Sequence, residues 1–278
     1  MKAAAHTMAT PGLGLLEALD LYARLGFDGV EVLYTDGYLC AVHPSSAAEE
    51  LPRLKERLGE LGLAVAQVTP YAQDFDAEDP AARRAAAGEI RACVAVASEL
   101  GCANVRLWAG NEPEPGEGDA RFARLVESLR PLAREAAAAG VSLNVENHSG
   151  SHALTSAAAV RLVEAVGEGM GVTYDPANLL MLGEGDPEGA LERLLPHVRH
   201  VHFKDLKVVG YRKHLPAVLG EGDVPWDRLM PRLLESGYDG FFSTEFEKRW
   251  HPDELPDPET GLAHELAALR ALWRAAGG

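Results

Sequence analysis

The sequence predicts an α/β fold, a single (β/α)8 barrel of parallel strands over residues 1–278 with an extra C-terminal helix. Three observations predict it. Short β-type runs alternate with longer amphipathic stretches, several of those stretches stop at a glycine just before the next run, and no Pro/Ser-rich linker or low-complexity tract breaks the series.

The first run is Ala3–His6. Leu15–Leu25 then ends at Gly26 before Gly29–Leu33, Ala48–Leu61 at Gly62 before Ala64–Thr69, Ala81–Leu100 at Gly101 before Asn104–Leu107, and Arg121–Ala139 at Gly140 before Ser142–Glu146. Ser156–Val166 precedes Gly171–Tyr174 and Pro187–Leu195 precedes Val198–Phe203. Trp226–Glu235, closed by Gly237, precedes Gly240–Thr244, and a last helix lies near Leu262–Ala275. The runs are rich in β-branched and apolar residues, and glycine suits the position just past a helix end. The unit recurs as LGFDGVEV, LGLAVAQV, LGCANVRL, AGVSLNVE and SGYDGFFSTE, as a ring of parallel strands wrapped by helices requires. A doubly wound open sheet is the competing topology, but no G-x-G-x-x-G follows the first strand to support dinucleotide binding.

Composition narrows the function classes. A chain of 278 residues, 47% hydrophobic, can bury a sizeable core. No apolar run approaches the ~20 residues needed to cross a bilayer, so no membrane partner is expected. The start MKAAAHTMATPG lacks the apolar stretch of a secretory signal, which makes the cytosol the expected location. A formal net charge of −16 repels a phosphate backbone and argues against nucleic acid as a partner. Cys40, Cys93 and Cys102 form no C-x-x-C pair and read as buried thiols.

In such a barrel the chemistry sits where strands end and βα loops begin. Long loops follow the second, fourth and seventh strands, at Tyr34–Ser46, Trp108–Gly118 and Lys204–Val224. Glu146, Asp175, His202 and Glu245 stand at the ends of the fifth to eighth strands, in SLNVENH, GVTYDPAN, VRHVHFKD and GFFSTEFE. Singly, each can be a helix cap or a structural histidine. As a set, they are expected to face one mouth and hold one divalent ion. Three carboxylates and an imidazole suit Mn²⁺, the preferred ion, or Mg²⁺, Co²⁺ or Zn²⁺.

The segments GFDGVEV, NVEN, TYDPAN, HVHFKD, LGEGDVPW and STEFEKRWHP resemble the xylose isomerase-like sugar isomerase/epimerase superfamily of TIM barrels. The resemblance runs from the first strand to beyond the eighth. It implies that Glu146, Asp175, His202 and Glu245 are the metal ligands, with Glu146 and Glu245 also moving protons. The small-molecule substrate it implies is a sugar, keto-sugar or polyol, and pairing into a homo-dimer or homo-tetramer is in keeping with it. A metal that polarises a carbonyl and its neighbouring hydroxyl lets one carboxylate remove the adjacent C–H proton; a second returns it. Rival readings are a dehydratase or lyase acting on a keto-sugar or keto-inositol, an abasic-site endonuclease-like enzyme, and a non-catalytic sugar-binding barrel.

The sequence departs from the ketose 3-epimerases three residues after Asp175, where Asn178 replaces a substrate-contacting histidine. It also lacks the Asp-x-His that a trinuclear endonuclease site needs. Alternation along the seventh strand places His200, His202 and Lys204 on one face. Lys204 can then bind or protonate substrate, or pair with Glu146, Glu245 or Glu247, while His200 reads as a packed core histidine. His148, two residues after Glu146, is a further acid/base candidate. His6, Glu31, Arg106, Trp108, Asn178, Arg249 and Trp250 are expected to contact substrate. Gln67 also lies at a strand end, and EKRWHP brings His251 near the mouth. LGEGDVPW reads as a turn and helix start, with Asp223 near the cap and Pro225 in the first turn.

Overall fold

The apolar runs meet one another in the order the sequence pattern predicts. The structure, a computed structural model, describes residues 1–114 and 116–278; Pro115, inside the Trp108–Gly118 loop, lies outside the described residues. The strands are β1 (Lys2–His6), β2 (Gly29–Tyr34), β3 (Ala41–Val42), β4 (Ala64–Pro70), β5 (Asn104–Leu107), β6 (Ser142–Glu146), β7 (Met170–Tyr174), β8 (Val198–Phe203), β9 (Asp205–Gly210), β10 (Lys213–Ala217) and β11 (Phe241–Thr244). Around the ring the order is β1, β2, β4, β5, β6, β7, β8, β11 and back to β1, with every pairing parallel. This is a closed TIM barrel. Short β3 adds to the edge of β2 at Leu33 and Tyr34.

The helices are α1 (Leu15–Leu25), α2 (Ala47–Leu61), α3 (Pro80–Glu99), α4 (Gly118–Ala138), α5 (Ser156–Val166), α6 (Pro176–Met181), α7 (Pro187–Leu194), α8 (Trp226–Glu235) and the C-terminal α9 (Pro258–Ala275). Val30, Val32, Val105, Val145 and Val172 pack with Leu19, Leu54, Ile90, Leu129 and Leu162 of the helices in one apolar cluster. Each such side chain contributes ~1.5–3 kcal/mol when fully buried. Gly26 and Gly62 close α1 and α2 at φ 92° and 68°, where a side chain would be strained. No helix among the described residues is long and apolar enough to cross a membrane.

The structure adds to the sequence reading in three places. The Lys204–Val224 loop is an antiparallel hairpin, β9 with β10. A short helix, α6, follows β7; Asp175 caps it through the Asn178 N–H (2.9 Å), and Pro176 fills its first position. The LGEGDVPW segment is also organised differently from expectation. Asp223 does not cap α8, because its Oδ2 accepts from the Val208 N–H at 2.8 Å, and Pro225 precedes the helix in the cap position. The segment instead wraps around Asp205, whose carboxylate accepts backbone N–H bonds from Leu206, Gly220, Gly222 and Val224 at 2.9 to 3.1 Å. A Cβ on Gly222 would lie 2.0 Å from Asp205 Oδ1, so this turn has room only for glycine.

Candidate active site

Inside the barrel, inward-facing residues two apart along each strand form successive layers. In the lower layer Glu31 Oε1 accepts from Gln67 Nε2 (3.1 Å) and Thr69 Oγ1 (2.6 Å), and its Oε2 lies 2.8 Å from His200 Nε2. Gln67 Oε1 accepts in turn from Thr173 Oγ1 (3.0 Å) and Asn144 Nδ2 (3.4 Å). All five side chains around Glu31 are buried.

One step toward the C-terminal ends of the strands stand Glu146, Asp175, His202 and Glu245. Each offers a donor atom, and these atoms all lie within 4.8 Å of one another. His202 Nδ1 is 3.2 Å from Glu146 Oε1, 3.4 Å from Glu245 Oε2 and 4.0 Å from Asp175 Oδ2. Its Nε2 lies 3.1 Å from Glu31 Oε1. Burial disfavours the charged ring, but Glu31 and Glu245 outweigh it and raise its pKa well above the usual value. With a cation in place of the Nδ1 proton, Nε2–H would stay on Glu31 and the Nδ1 lone pair would face the ion, as a metal-binding imidazole requires.

Charge is crowded here. Four buried carboxylates, Glu31, Glu146, Asp175 and Glu245, face two buried permanent cations, Arg106 and Lys204. Arg106 pairs with Glu146. Lys204 Nζ lies 2.7 Å from Glu245, 3.0 Å from Asp175 and 3.1 Å from Glu247. Burial pushes the Glu146 carboxyl up, but Arg106 and His202 outweigh it and hold it at about 2. Burial likewise opposes ionisation of Glu245, and Lys204 and His202 keep it well below the usual range. Asp175 differs: burial, aided by Glu245 and Glu146, pushes it up to about 7 despite Lys204. Its Oδ2 is buried without a hydrogen bond. An excess of carboxylates over permanent cations, an orphaned carboxylate oxygen and a mixed O/N donor set fit a divalent cation.

Above the cluster opens a cavity of about 380 Å³, lined by His6, Thr69, Tyr71, Arg106, Trp108, His148, Glu245 and Trp250 among others. That volume suits a small ligand. His148 Nδ1 is 2.6 Å from Ser149 O and so carries the proton, while burial lowers its pKa and keeps the ring neutral. Its Nε2 is left as an acceptor. The ring packs on Trp108 at 4.4 Å. Of the residues expected at substrate, His6, Arg106, Trp108 and Trp250 line this cavity, and three others do not. Glu31 sits a layer below, with both oxygens taken. Asn178 lies behind Glu146, donating to Glu146 Oε1 (3.3 Å) and Asn147 O (3.2 Å). Arg249 stacks on Tyr38 at 4.5 Å. Lys204 is buried under its three carboxylates, with none of its pairs to Glu146.

Sequence reasoning missed Met8, Tyr71, Gln73 and His214, all on the cavity wall. The first three follow strands that were identified, so counting two to four residues past each strand end finds them. His214 belongs to the unexpected hairpin, and only the alternation in KHLPA hints at it.

A family model for the xylose isomerase-like TIM barrel matches residues 19–272. The chain is 29% identical over 255 residues to a putative hydroxypyruvate isomerase of Streptomyces coelicolor, covering 84% of this chain and 86% of that one. It is 25% identical over 152 residues to an inosose dehydratase of Lacticaseibacillus casei, covering 49% of this chain. The chain spans only 51% of that relative's length. Among solved structures, an L-ribulose 3-epimerase superposes with a TM-score of 0.81 at 20% identity, over 100% of this chain and 96% of that one.

Proposed function

Because this chain belongs to the xylose isomerase-like TIM barrel family, we propose that it is a divalent-metal-dependent isomerase or epimerase of a small sugar, keto-sugar or polyol. The observation that carries this reading is the meeting of Glu146, Asp175, His202 and Glu245 beneath a sugar-sized cavity, with Asp175 Oδ2 unpartnered. Those four residues would hold the ion, with Mn²⁺ preferred for a set dominated by carboxylates. When bound, the ion supplies Lewis-acid polarisation of a carbonyl and its neighbouring hydroxyl.

The remaining work belongs to the chain. Glu245 faces the cavity and takes the proton from the carbon beside the carbonyl. Glu146, three strands round the ring on β6 and kept ionised by Arg106, exchanges the proton on the other side. Return to the same carbon from the opposite face inverts it, whereas return to the neighbouring carbon interconverts aldose and ketose. Trp108 and His148 wall the sugar, and Lys204 holds Glu245 and Asp175 in place.

Elimination is the second reading, favoured by the similarity to inosose dehydratases and by the bare His148 Nε2 at the cavity wall. In that case His148, protonated by solvent, delivers a proton to a departing hydroxyl. Incubation with keto-sugars and keto-inositols in deuterated water separates the two. Deuterium incorporation without loss of mass supports isomerisation, a product lighter by water supports elimination, and no exchange across the panel with divalent ions present defeats both.

A further inference from the structure

A second group of metal-type donors stands at the cavity mouth and shares no residue with the inner cluster. His214 of β10 meets Glu247 and His251 of the segment after β11, with one donor atom from each within 4.8 Å of the others. His251 Nε2 and His214 Nε2 lie 3.7 Å and 4.0 Å from the same oxygen, Glu247 Oε2. The two rings meet edge-on, 5.6 Å apart at 75°, so they converge without stacking.

These separations are too long for hydrogen bonds, which close at ~2.7–3.2 Å. They are near the spacing of donors that share one ion, because ligands at ~2.1 Å around a tetrahedral centre stand ~3.4 Å apart. His214 Nε2 is buried and has no hydrogen-bond partner, a deficit that costs ~1–3 kcal/mol when nothing fills it. The other Glu247 oxygen is held by Lys204 Nζ at 3.1 Å, which fixes the carboxylate and leaves Oε2 toward the imidazoles. Burial favours the neutral, metal-binding form of His214. All three residues line the cavity, so the remaining coordination positions open onto it.

We propose that His214, Glu247 and His251 form a second divalent-cation site, suited to Zn²⁺, at the mouth of the cavity. Two imidazoles and one carboxylate with an open position are a donor set that zinc favours, whereas the inner, carboxylate-rich cluster suits Mn²⁺ or Mg²⁺. The outer ion ties the β9–β10 hairpin to the segment after β11. It also presents its open position to a hydroxyl or water at the far end of the cavity.

The test is equilibrium dialysis of the chelator-treated full chain against Zn²⁺, with elemental analysis, for four proteins: wild type, His214→Asn, the double variant His214→Ala/His251→Ala, and Glu146→Gln/Asp175→Asn. Circular dichroism melts establish that each is folded. Wild type is expected to hold two equivalents. His214→Asn and the double variant are expected to lose one, with at least a tenfold drop in affinity for it, and the inner-cluster variant is expected to keep the outer one. Loaded with Co²⁺, the inner-cluster variant should show visible d–d absorption typical of a site of low coordination number. A wild-type stoichiometry unchanged by the histidine substitutions, or an inner-cluster variant that binds no Zn²⁺, overturns the proposal. Because the outer equivalent is followed by its loss in the histidine variants and the inner one by its loss in Glu146→Gln/Asp175→Asn, failure of the inner-metal reading is read separately.

Discussion

Asn144, Thr173, His200 and Ser243 stand two residues before Glu146, Asp175, His202 and Glu245, which lie in or just past the same four strands, and the two sets face the same interior one layer apart. Below, hydroxyls, amides and an imidazole surround a single carboxylate, Glu31, and satisfy both of its oxygens. Above, three carboxylates share Arg106 and Lys204, Asp175 is pushed up to about 7 by burial, and its Oδ2 has no hydrogen bond. A step of two residues, about 6.6 Å, separates them. The lower layer satisfies its carboxylate and leaves only an imidazole nitrogen, His200 Nδ1, without a partner, whereas the upper layer leaves a carboxylate oxygen bare. A buried carboxylate whose two oxygens are both paired helps specify a structure, whereas a cluster of carboxylates with an oxygen left bare specifies what it will bind.

Substitutions should therefore split by layer. Glu146→Gln or Glu245→Gln removes a proton carrier and is expected to slow substrate deuterium exchange ~10²- to 10⁴-fold, measured by NMR. Glu245→Gln, which leaves Lys204 paired with Asp175 and Glu247, is the variant read with folding checked by circular dichroism, because Glu146→Gln also weakens the buried pair with Arg106. Exchange that persists at the wild-type rate breaks the functional reading of the upper layer. Glu31→Gln, in the lower layer, leaves His200 and His202 without their carboxylate; it should cost ~3–5 kcal/mol in urea unfolding. It should also weaken inner-site metal binding ~10- to 100-fold by freeing the His202 ring. A Glu31→Gln variant as stable as wild type would show that the lower layer does not support the barrel interior.

Adding Mn²⁺ at 100 times its dissociation constant should stabilise the metal-free chain by ~2.7 kcal/mol, seen as a rise in melting temperature. That gain should vanish in Glu146→Gln/Asp175→Asn. The smallest effect is expected outside both layers, at Glu265 of α9. This side chain is buried with Oε2 unpaired, and burial, reinforced by Asp205 and Glu247, holds its pKa well above 4.5. The folded state thus keeps a proton that the unfolded state releases. Its contribution is fully present below about pH 4.5 and is lost as pH rises toward the raised folded value. Glu265→Gln should therefore gain stability relative to wild type as pH climbs through that window, by ~1–3 kcal/mol at neutral pH. A pH-independent difference between the two melting curves would reject the buried-acid account.

Much of this barrel was legible because its signals are local. Helix, glycine and strand repeat within a few residues, and the eight ring strands lie within one or two residues of their expected ends. The ligand-type residues were legible for the same reason, since strand-terminal position is a property of the sequence alone. What escaped depends on distant partners. Glu31 reads like any strand residue until Gln67, Thr69, His200 and His202 close around it from β4 and β8. The α6 helix carried a readable Asp-Pro start but is too short to show periodicity. The β9–β10 hairpin was hidden because its outward residues, Val209, Tyr211 and Leu215, are exposed and break the usual apolar-in, polar-out rule.

The carboxylate of Asp205 fastens both feet of that hairpin, holding Leu206 at the start of the excursion and Gly220, Gly222 and Val224 at its return. Trp226 adds a rivet through its indole N–H to Lys204 O at 3.0 Å. These clasps fix where the excursion leaves the barrel wall and where it rejoins it. Its tip is moored separately, by the Arg212 N–H to Met181 O at 3.0 Å and the Arg212 guanidinium to Glu112 at 2.6 Å, so the wall of the mouth that carries His214 is pinned at root and at crest like a bridge between two piers.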